Sequence, residues 1–114
     1  MSILSTAIDQ SSDIFRSNQQ HYEALLKTLR ERMAIATSSG RSELIERHHQ
    51  RGKILVRDRI DMLVDANSPF LEFSPLAAWG QYNNELPAAG IVTGIGMVSG
   101  TPCVIIANDA TVKG

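Results

Sequence analysis

Two neighbouring apolar runs, Ile91–Val98 and Cys103–Ala107, constrain the fold of this chain more than any other feature. Both are rich in β-branched residues, and the turn-forming segment 99–102 separates them, which predicts a β-hairpin with Pro102 at the edge of its second strand. Neither face of the first strand is polar, so both require cover, and an isolated hairpin is marginally stable at best. We therefore expect the start of a larger sheet, incomplete in this chain. The two faces of the first strand are Ile91, Thr93, Ile95 and Met97, and Val92, Gly94, Gly96 and Val98.

Before residue 65 the pattern is helical. Apolar residues recur at spacings of three and four and predict an amphipathic docking helix over 13–37, capped by Ser11 or Ser12 and ended at 38–40. Shorter helices are predicted over 42–50, stopped by Gly52, and over 56–64, ended by the turn-prone segment 65–69. Residues 70–73 predict a short strand, and 75–87 predict irregular backbone between two prolines. The apolar stripe of the first helix is Tyr22, Leu25, Leu26, Leu29, Met33 and Ala36.

Charge divides the chain into the same two regions. The net charge is -1 and 43% of the residues are hydrophobic, which is typical of a water-soluble protein. Residues 66–114 carry only four of the charged side chains, so we predict a solvated helical region over 1–65 and an apolar domain start over 66–114. No apolar run is long enough for a membrane span, and Asp9 and Asp13 argue against a targeting presequence. A cytoplasmic location is expected. The four charged residues of the second region are Glu72, Glu85, Asp109 and Lys113.

Three local patterns favour structural roles. Cys103 lies in an apolar run and is expected to behave as a small buried hydrophobe. Gly94 and Gly96 lie inside a strand without a third glycine opening a helix, so they indicate close backbone packing and no dinucleotide loop. His48 and His49 are adjacent on a helix and face different ways, with no third ligand at a suitable spacing, so no metal site is predicted.

A local excess of basic residues lies between Arg41 and Arg59. This segment is either a self-paired, solvated helix surface or an anion site in which Arg and Lys side chains converge around Gly52. Nucleic acid is a weaker ligand because no aromatic residues are interleaved for base stacking. The segment 108–114 follows the second apolar run and suits a strand-to-helix turn, where amides and Lys113 could hold an anion.

Four ordered stretches resemble the carboxyltransferase (β) subunits of biotin-dependent acyl-CoA carboxylases. The last of them, Asn-Asp-Ala-Thr-Val-Lys-Gly, is most similar to the methylcrotonoyl-CoA carboxylase branch. The segment 77–89 departs from the family pattern, which leaves the acyl-chain preference open. The four stretches are residues 51–61, 68–72, 90–96 and 106–114.

The resemblance implies an α/β fold in which a helical N-terminal lead precedes the first strands of a crotonase-like domain. It implies transfer of a carboxyl group from carboxybiotin, carried on a separate α subunit, to 3-methylcrotonoyl-CoA in leucine breakdown, with geranoyl-CoA or propionyl-CoA as alternatives. A hexamer of β subunits is implied as well. The oxyanion-hole amides of the family lie downstream of the matched region, so no residue here is assigned a catalytic role. Arg51, Lys53 and Lys113 are the candidate contacts to the CoA phosphates.

A rival hypothesis requires no enzyme. Residues 13–64 would dock a partner, and the hairpin would complete the partner's sheet by strand addition. The chain would then be a small assembly module.

Overall fold

Three α-helices precede a three-stranded antiparallel sheet in the computed structural model, which describes residues 4–38 and 41–112. The strand order follows the sequence, β1-β2-β3. The predicted helices and the first two strands are confirmed to within one residue at each end, because their periodicity and turn residues agree. No helix in the described ranges is long and apolar enough to cross a membrane. The elements are α1 Asp13–Thr37, α2 Ser42–Gln50, α3 Val56–Leu63, β1 Leu71–Phe73, β2 Ile91–Val98 and β3 Thr101–Asn108.

The chain forms two compact units, residues 1–32 and 33–114. In the first unit, the backbone N–H of Phe15 donates to Ser12 Oγ at 3.2 Å, which confirms Ser12 as the cap of α1. The docking face of α1 stays a prediction: Leu25 is 51% exposed and Leu29 46%. Ser39 and Gly40, expected to end this helix, lie outside the described residues. The predicted division of the chain at residue 65 also stays a prediction.

A small core in the second unit joins α3 to the sheet. Val56 and Ile60 of α3 pack with Val92 of β2 and Ile105 of β3, and each is at most 7% exposed. Since buried aliphatic side chains supply most of the free energy of folding, this cluster holds the helix on the sheet. Val64, Phe70, Val98 and Ala107 surround it.

Only one face of the sheet is covered by the described residues. The face that carries Val92, Gly94 and Gly96 lies under α3, whereas the opposite face is open to solvent. A sheet face that exposes several large apolar side chains is typical of a surface that makes further contacts. We expected both faces of the sheet to need cover, and among the described residues α3 provides it for one face. The large exposed side chains of the open face are Leu71 (62%), Phe73 (41%), Ile95 (37%), Val104 (69%) and Ile106 (69%).

The hairpin turn is tighter than predicted. Ser99 and Gly100 alone form it, with φ of 50° and 75°, and β3 begins at Thr101 and not at Cys103. Two consecutive residues with left-handed backbone form a type I′ turn, and the twist of this turn matches that of the strands. Two residues are therefore enough to connect β2 to β3. Pro102 lies opposite Met97 on the outer strand of this sheet, as its missing N–H requires.

The carboxylate of Asp65 holds this turn from the end of α3. Its Oδ1 and Oδ2 accept the backbone N–H groups of Ser99 and Gly100, each at 2.7 Å, while its own N–H donates to Met97 O. A left-handed backbone at Ser99 costs about 1 kcal/mol or more, which two charge-assisted hydrogen bonds offset. The residue predicted only to end a helix therefore also orders the hairpin.

We predict that Asp65→Asn lowers the free energy of unfolding by about 1–2 kcal/mol, because one of the two charged acceptors becomes an amide donor. Urea denaturation of the purified protein measures the change. Glu85→Gln makes the same chemical change at an exposed carboxylate and should leave the midpoint almost unmoved. Equal effects of the two substitutions would contradict the role given to Asp65.

Phe70 lies over the two glycines of β2. A Cβ built on Gly94 would lie 2.5 Å from Phe70 Cζ and closer than 3.0 Å to the carbonyl oxygen of Leu71. A Cβ on Gly96 would meet mainly side-chain ends, with Val64 Cγ1 at 2.7 Å. The glycines provide close packing, as the sequence predicted, and the space that they leave admits Phe70 to the core.

Alanine substitutions at these glycines should therefore differ. Gly94→Ala forces a Cβ onto backbone and an aromatic ring, so we expect a loss of about 3 kcal/mol in the free energy of unfolding. Gly96→Ala meets side chains that can turn aside, and we expect a loss of about 1 kcal/mol. Thermal or chemical denaturation of the two variants tests the order, and a Gly96→Ala protein less stable than Gly94→Ala would overturn the packing argument.

The segment between β1 and β2 is irregular, as predicted. It contains two single 3-10 turns, Tyr82–Asn84 and Pro87–Gly90, and has left-handed backbone at Ala88 (φ 50°) and Ala89 (φ 55°). Ala88 and the last turn of α1 at Ala36 are buried, at 6% and 4% exposure. This segment thus packs as an ordered loop and brings Gly90 to the start of β2.

Candidate phosphate-binding cleft

The end of α2 places the basic residues of the segment 51–53. Gly52 has φ +67°, its N–H donates to His49 O at 2.8 Å, and the N–H of Lys53 donates to His48 O at 3.1 Å. This pair of bonds is the Schellman motif, which reverses the chain after a helix and needs a residue that accepts positive φ. The predicted stop at Gly52 is confirmed, and it turns Lys53 away from the axis of α2.

An open cleft of about 490 Å³ lies beside this turn. Basic residues of α2, of α3 and of the turn after α2 line this cleft. No Asp or Glu is among the described residues that line it. The imidazole Nε2 of His48 lies 3.1 Å from the carbonyl oxygen of Ile54 and holds the turn against α2. The lining residues are His48, Gly52, Lys53, Ile54, Arg59, Asn108 and Ala110.

The structure places one of the three sequence-predicted site residues in the cleft. Lys53 lines the cleft. Arg51 forms the C-cap of α2 and is exposed next to it, without lining it. Lys113 lies outside the described residues. The role of all three in binding phosphate stays a prediction.

Sequence analysis missed Arg59 as a site residue. Its Nη2 donates to the carbonyl oxygen of Asn108 at 2.8 Å, across 49 positions of sequence. This bond joins α3 to the end of β3 and places the guanidinium at the cleft. The basic excess of the segment 41–59 was a visible signal, but spacing could not show which of its arginines lines the same cleft as Lys53.

Arg57, two residues away, faces in a different direction and forms an ion pair within the fold. Its Nη1 and Nη2 donate to Glu72 Oε2 and Oε1 at 2.8 and 2.9 Å, and the two side chains are 27% and 15% exposed. The hydrogen bonds to Glu72 raise the pKa of Arg57 above its ordinary value, against an opposing effect of burial. The guanidinium stays charged at neutral pH, and its contribution to stability would be lost only in strong alkali.

A double-mutant cycle on Arg57 and Glu72 should give a coupling energy of about 2 kcal/mol, because the pair is bidentate and largely withdrawn from water. The same cycle on Arg16 and Asp13, which are 61% and 99% exposed, should give about 0.5 kcal/mol or less. Urea denaturation of the single and double alanine variants supplies both values. Equal coupling energies would show that burial of the Arg57 pair adds nothing.

The turn after β3 is held from several directions. Asp109 and Thr111 are buried, at 8% and 1% exposure, and Asp109 Oδ1 accepts the N–H of Thr111 at 2.9 Å. The N–H of Asp109 donates to Gly90 O at 2.9 Å. Asp109 therefore closes a local turn and ties it to the start of β2, which fixes Asn108 and Ala110 as one wall of the cleft.

The remaining candidates from the sequence have no site around them. Cys103 is half-buried on β3 and unpaired. Among the described residues, no group of three His, Cys, Asp or Glu side chains could hold a metal ion.

Comparison with known proteins identifies the family. Residues 47–114 match the carboxyl transferase domain family. The chain is 54% identical over 93 residues to the biotin-dependent 3-methylcrotonyl-coenzyme A carboxylase beta1 subunit of Mycobacterium tuberculosis, covering 82% of this chain and 18% of that protein. It is 47% identical over 113 residues to the mitochondrial methylcrotonoyl-CoA carboxylase beta chain of Dictyostelium discoideum, covering 98% of this chain and 19% of that protein.

Solved structures agree with this match. Transcarboxylase 12S, described as a hexamer with hydrolysed methylmalonyl-coenzyme A bound, superposes with a TM-score of 0.69 at 28% identity. The match covers 82% of this chain and 19% of that chain. The chain belongs to the carboxyl transferase domain family, and its helical lead followed by antiparallel strands is the predicted start of a crotonase-like domain. It spans about a fifth of the length of the relatives described above.

Proposed function

We propose that this chain is the N-terminal part of a carboxyltransferase subunit that carboxylates 3-methylcrotonoyl-CoA. The observation that carries the proposal is the 54% and 47% identity to two relatives named for this substrate. In the proposed reaction, carboxybiotin would supply the carboxyl group by cleavage of its N1′–carboxyl bond, and the freed biotin nitrogen would take a proton from the γ-carbon of the thioester. The extended enolate formed by loss of that proton would then bond the released carboxyl carbon through its γ-carbon. The enolate oxygen requires preorganised N–H donors, which we assign to parts of the subunit beyond the described residues.

The open face of the sheet supports a larger domain. Five large apolar side chains on β1, β2 and β3 are 37–69% exposed, and the relatives are about five times longer than this chain. We propose that further strands or helices of a carboxyltransferase domain cover this face, so the chain alone is inactive.

The proposed partners are an acyl-CoA, a separate α subunit carrying biotin, and further copies of the β subunit in a hexamer. The Mycobacterium tuberculosis relative is named as biotin-dependent, and transcarboxylase 12S is described as a hexamer. No described residue is assigned to biotin. A cytoplasmic location remains part of the proposal.

The role proposed for this chain's own residues is to bind the phosphates of CoA. Lys53 lines the cationic cleft, and Arg51 is exposed beside it. An ammonium or guanidinium group pairs well with phosphate oxygens, and no carboxylate among the described residues lines the cleft to compete. Lys113 completes the proposed set.

Substrate competition in the holoenzyme tests the proposal. The full-length β subunit, assembled with its biotin-carrying partner, should carboxylate 3-methylcrotonoyl-CoA with a kcat/KM at least about tenfold above those for geranoyl-CoA and propionyl-CoA, since a pocket separates acyl chains by their apolar fit. A preference for propionyl-CoA or geranoyl-CoA would overturn the substrate. Absence of carboxylation with all three, together with binding of a partner's sheet edge, would favour the assembly module.

A further inference from the structure

Arg59 and Lys53 are two cations, neither ion-paired among the described residues, that line one cleft from different elements. Lys53 follows the Schellman turn of α2, and Arg59 belongs to α3. Neither forms an ion pair with a carboxylate within residues 4–38 and 41–112. Two like charges that line one cleft repel each other, and a bound anion offsets that repulsion. The arrangement therefore suits an anionic ligand better than an empty surface.

The guanidinium of Arg59 is held in place before any ligand binds. One of its N–H groups donates to Asn108 O at 2.8 Å. A guanidinium has five N–H donors in a rigid fork, so the others remain for a ligand. Asn108 is itself fixed by the bonds of Asp109 to Gly90 and Thr111. This preorganisation reduces the entropy that binding would cost.

The dipole of α2 explains part of the basic segment but not Arg59. Cations near the C-terminus of a helix interact favourably with its unpaired carbonyl groups, and this accounts for Arg47, His49 and Arg51. Arg59 lies instead in the first half of α3, where a cation opposes the helix dipole. Its position is explained by the bond to Asn108 and by the cleft.

The backbone beside the cleft adds to the positive potential. α3 begins at Val56, two residues after Ile54, which lines the cleft. Its N-cap residue Leu55 makes no side-chain capping bond, and the carboxylate of Asp58 in the first turn offsets part of the partial positive charge of this helix end. The helix end supports, and does not by itself define, a site for phosphate.

We infer that Arg59, together with Lys53, binds a phosphate group of the acyl-CoA substrate and makes the enzyme prefer CoA thioesters to thioesters of pantetheine, which has no phosphate. The inference rests on the proposed function, since it assigns the ligand of that same cleft. It adds Arg59, which the sequence did not single out, to the residues that bind phosphate. It also attributes affinity for the CoA end of the substrate to the junction of α2, α3 and the end of β3.

Steady-state kinetics of the holoenzyme with matched substrates tests this. Arg59→Gln and Lys53→Gln should each raise the KM for 3-methylcrotonoyl-CoA about tenfold or more, with little change in kcat. The KM for 3-methylcrotonoyl-pantetheine should stay the same. Arg47→Gln removes the same charge from an exposed residue of α2 that does not line the cleft and serves as the control. The ester of dephospho-CoA, which lacks the 3′-phosphate, shows which phosphate is bound. If the substitutions also raise the KM for this ester about tenfold, the diphosphate is the group bound, and if they leave that KM unchanged, the 3′-phosphate is.

Other results would overturn the inference. An equal rise in KM for the CoA and pantetheine esters would mean that Arg59 only maintains the fold through Asn108, and an unchanged KM for both would remove the cleft from substrate binding. If Arg59→Gln does not fold, Arg59→Lys, which keeps the charge, and Lys53→Gln, whose side chain has no ion pair in the described ranges, take its place.

A binding measurement separates this inference from the proposed activity. Calorimetric titration of the full-length subunit with CoA itself requires no carboxylation. Binding that weakens about tenfold in Arg59→Gln but not in Arg47→Gln supports the cleft even where no acyl-CoA is carboxylated. Carboxylation of 3-methylcrotonoyl-CoA with CoA binding that is indifferent to Arg59 and Lys53 would leave the proposed function intact and reject the cleft.

Discussion

The close approach of Phe70 to the bare backbone of β2 is the contact on which the second unit depends. Gly94 and Gly96 leave no side chain between the strand and the aromatic ring, and the space of a single methyl group at Gly94 is already taken by Phe70 and the Leu71 carbonyl. Phe70 in turn packs beside Val56, Ile60, Val92 and Ile105. Without this approach β1 could not pair with β2 while α3 covers the same face.

The polar contacts around this core connect the stretches that resemble the family. Arg57 of the first stretch pairs with Glu72 of the second, Arg59 of the first donates to Asn108 of the last, and Asp109 of the last donates to Gly90 of the third. Asp65, between the first two stretches, holds the hairpin turn. The distinctive residues thus contact one another, because each bond fixes the position of one element relative to the next.

Two arginines of α3 have different environments in the fold, one in an ion pair and the other at an open cleft. Arg57 is bidentate with a half-buried carboxylate, whereas the bond that Arg59 makes within residues 4–38 and 41–112 is to a carbonyl oxygen and leaves further donors available. Residues two apart on a helix point in different directions, so the same chemical group serves a buried ion pair on one side and an open cleft on the other.

The sequence alone was sufficient to predict the helices and the hairpin, because periodicity, β-branched runs and turn residues are local signals. It was also sufficient to predict the family, because the amino-acid sequences of the four stretches are specific to it. It also predicted that Gly52 ends a helix and that the β2 glycines pack closely. Local signals could not reveal that two residues suffice for the hairpin turn, that Asp65 binds it, or that Arg59 lies with Lys53 in one cleft. The contact of Asp65 and the placement of Arg59 depend on hydrogen bonds between residues 34 and 49 positions apart, which meet only when α3 packs on the sheet.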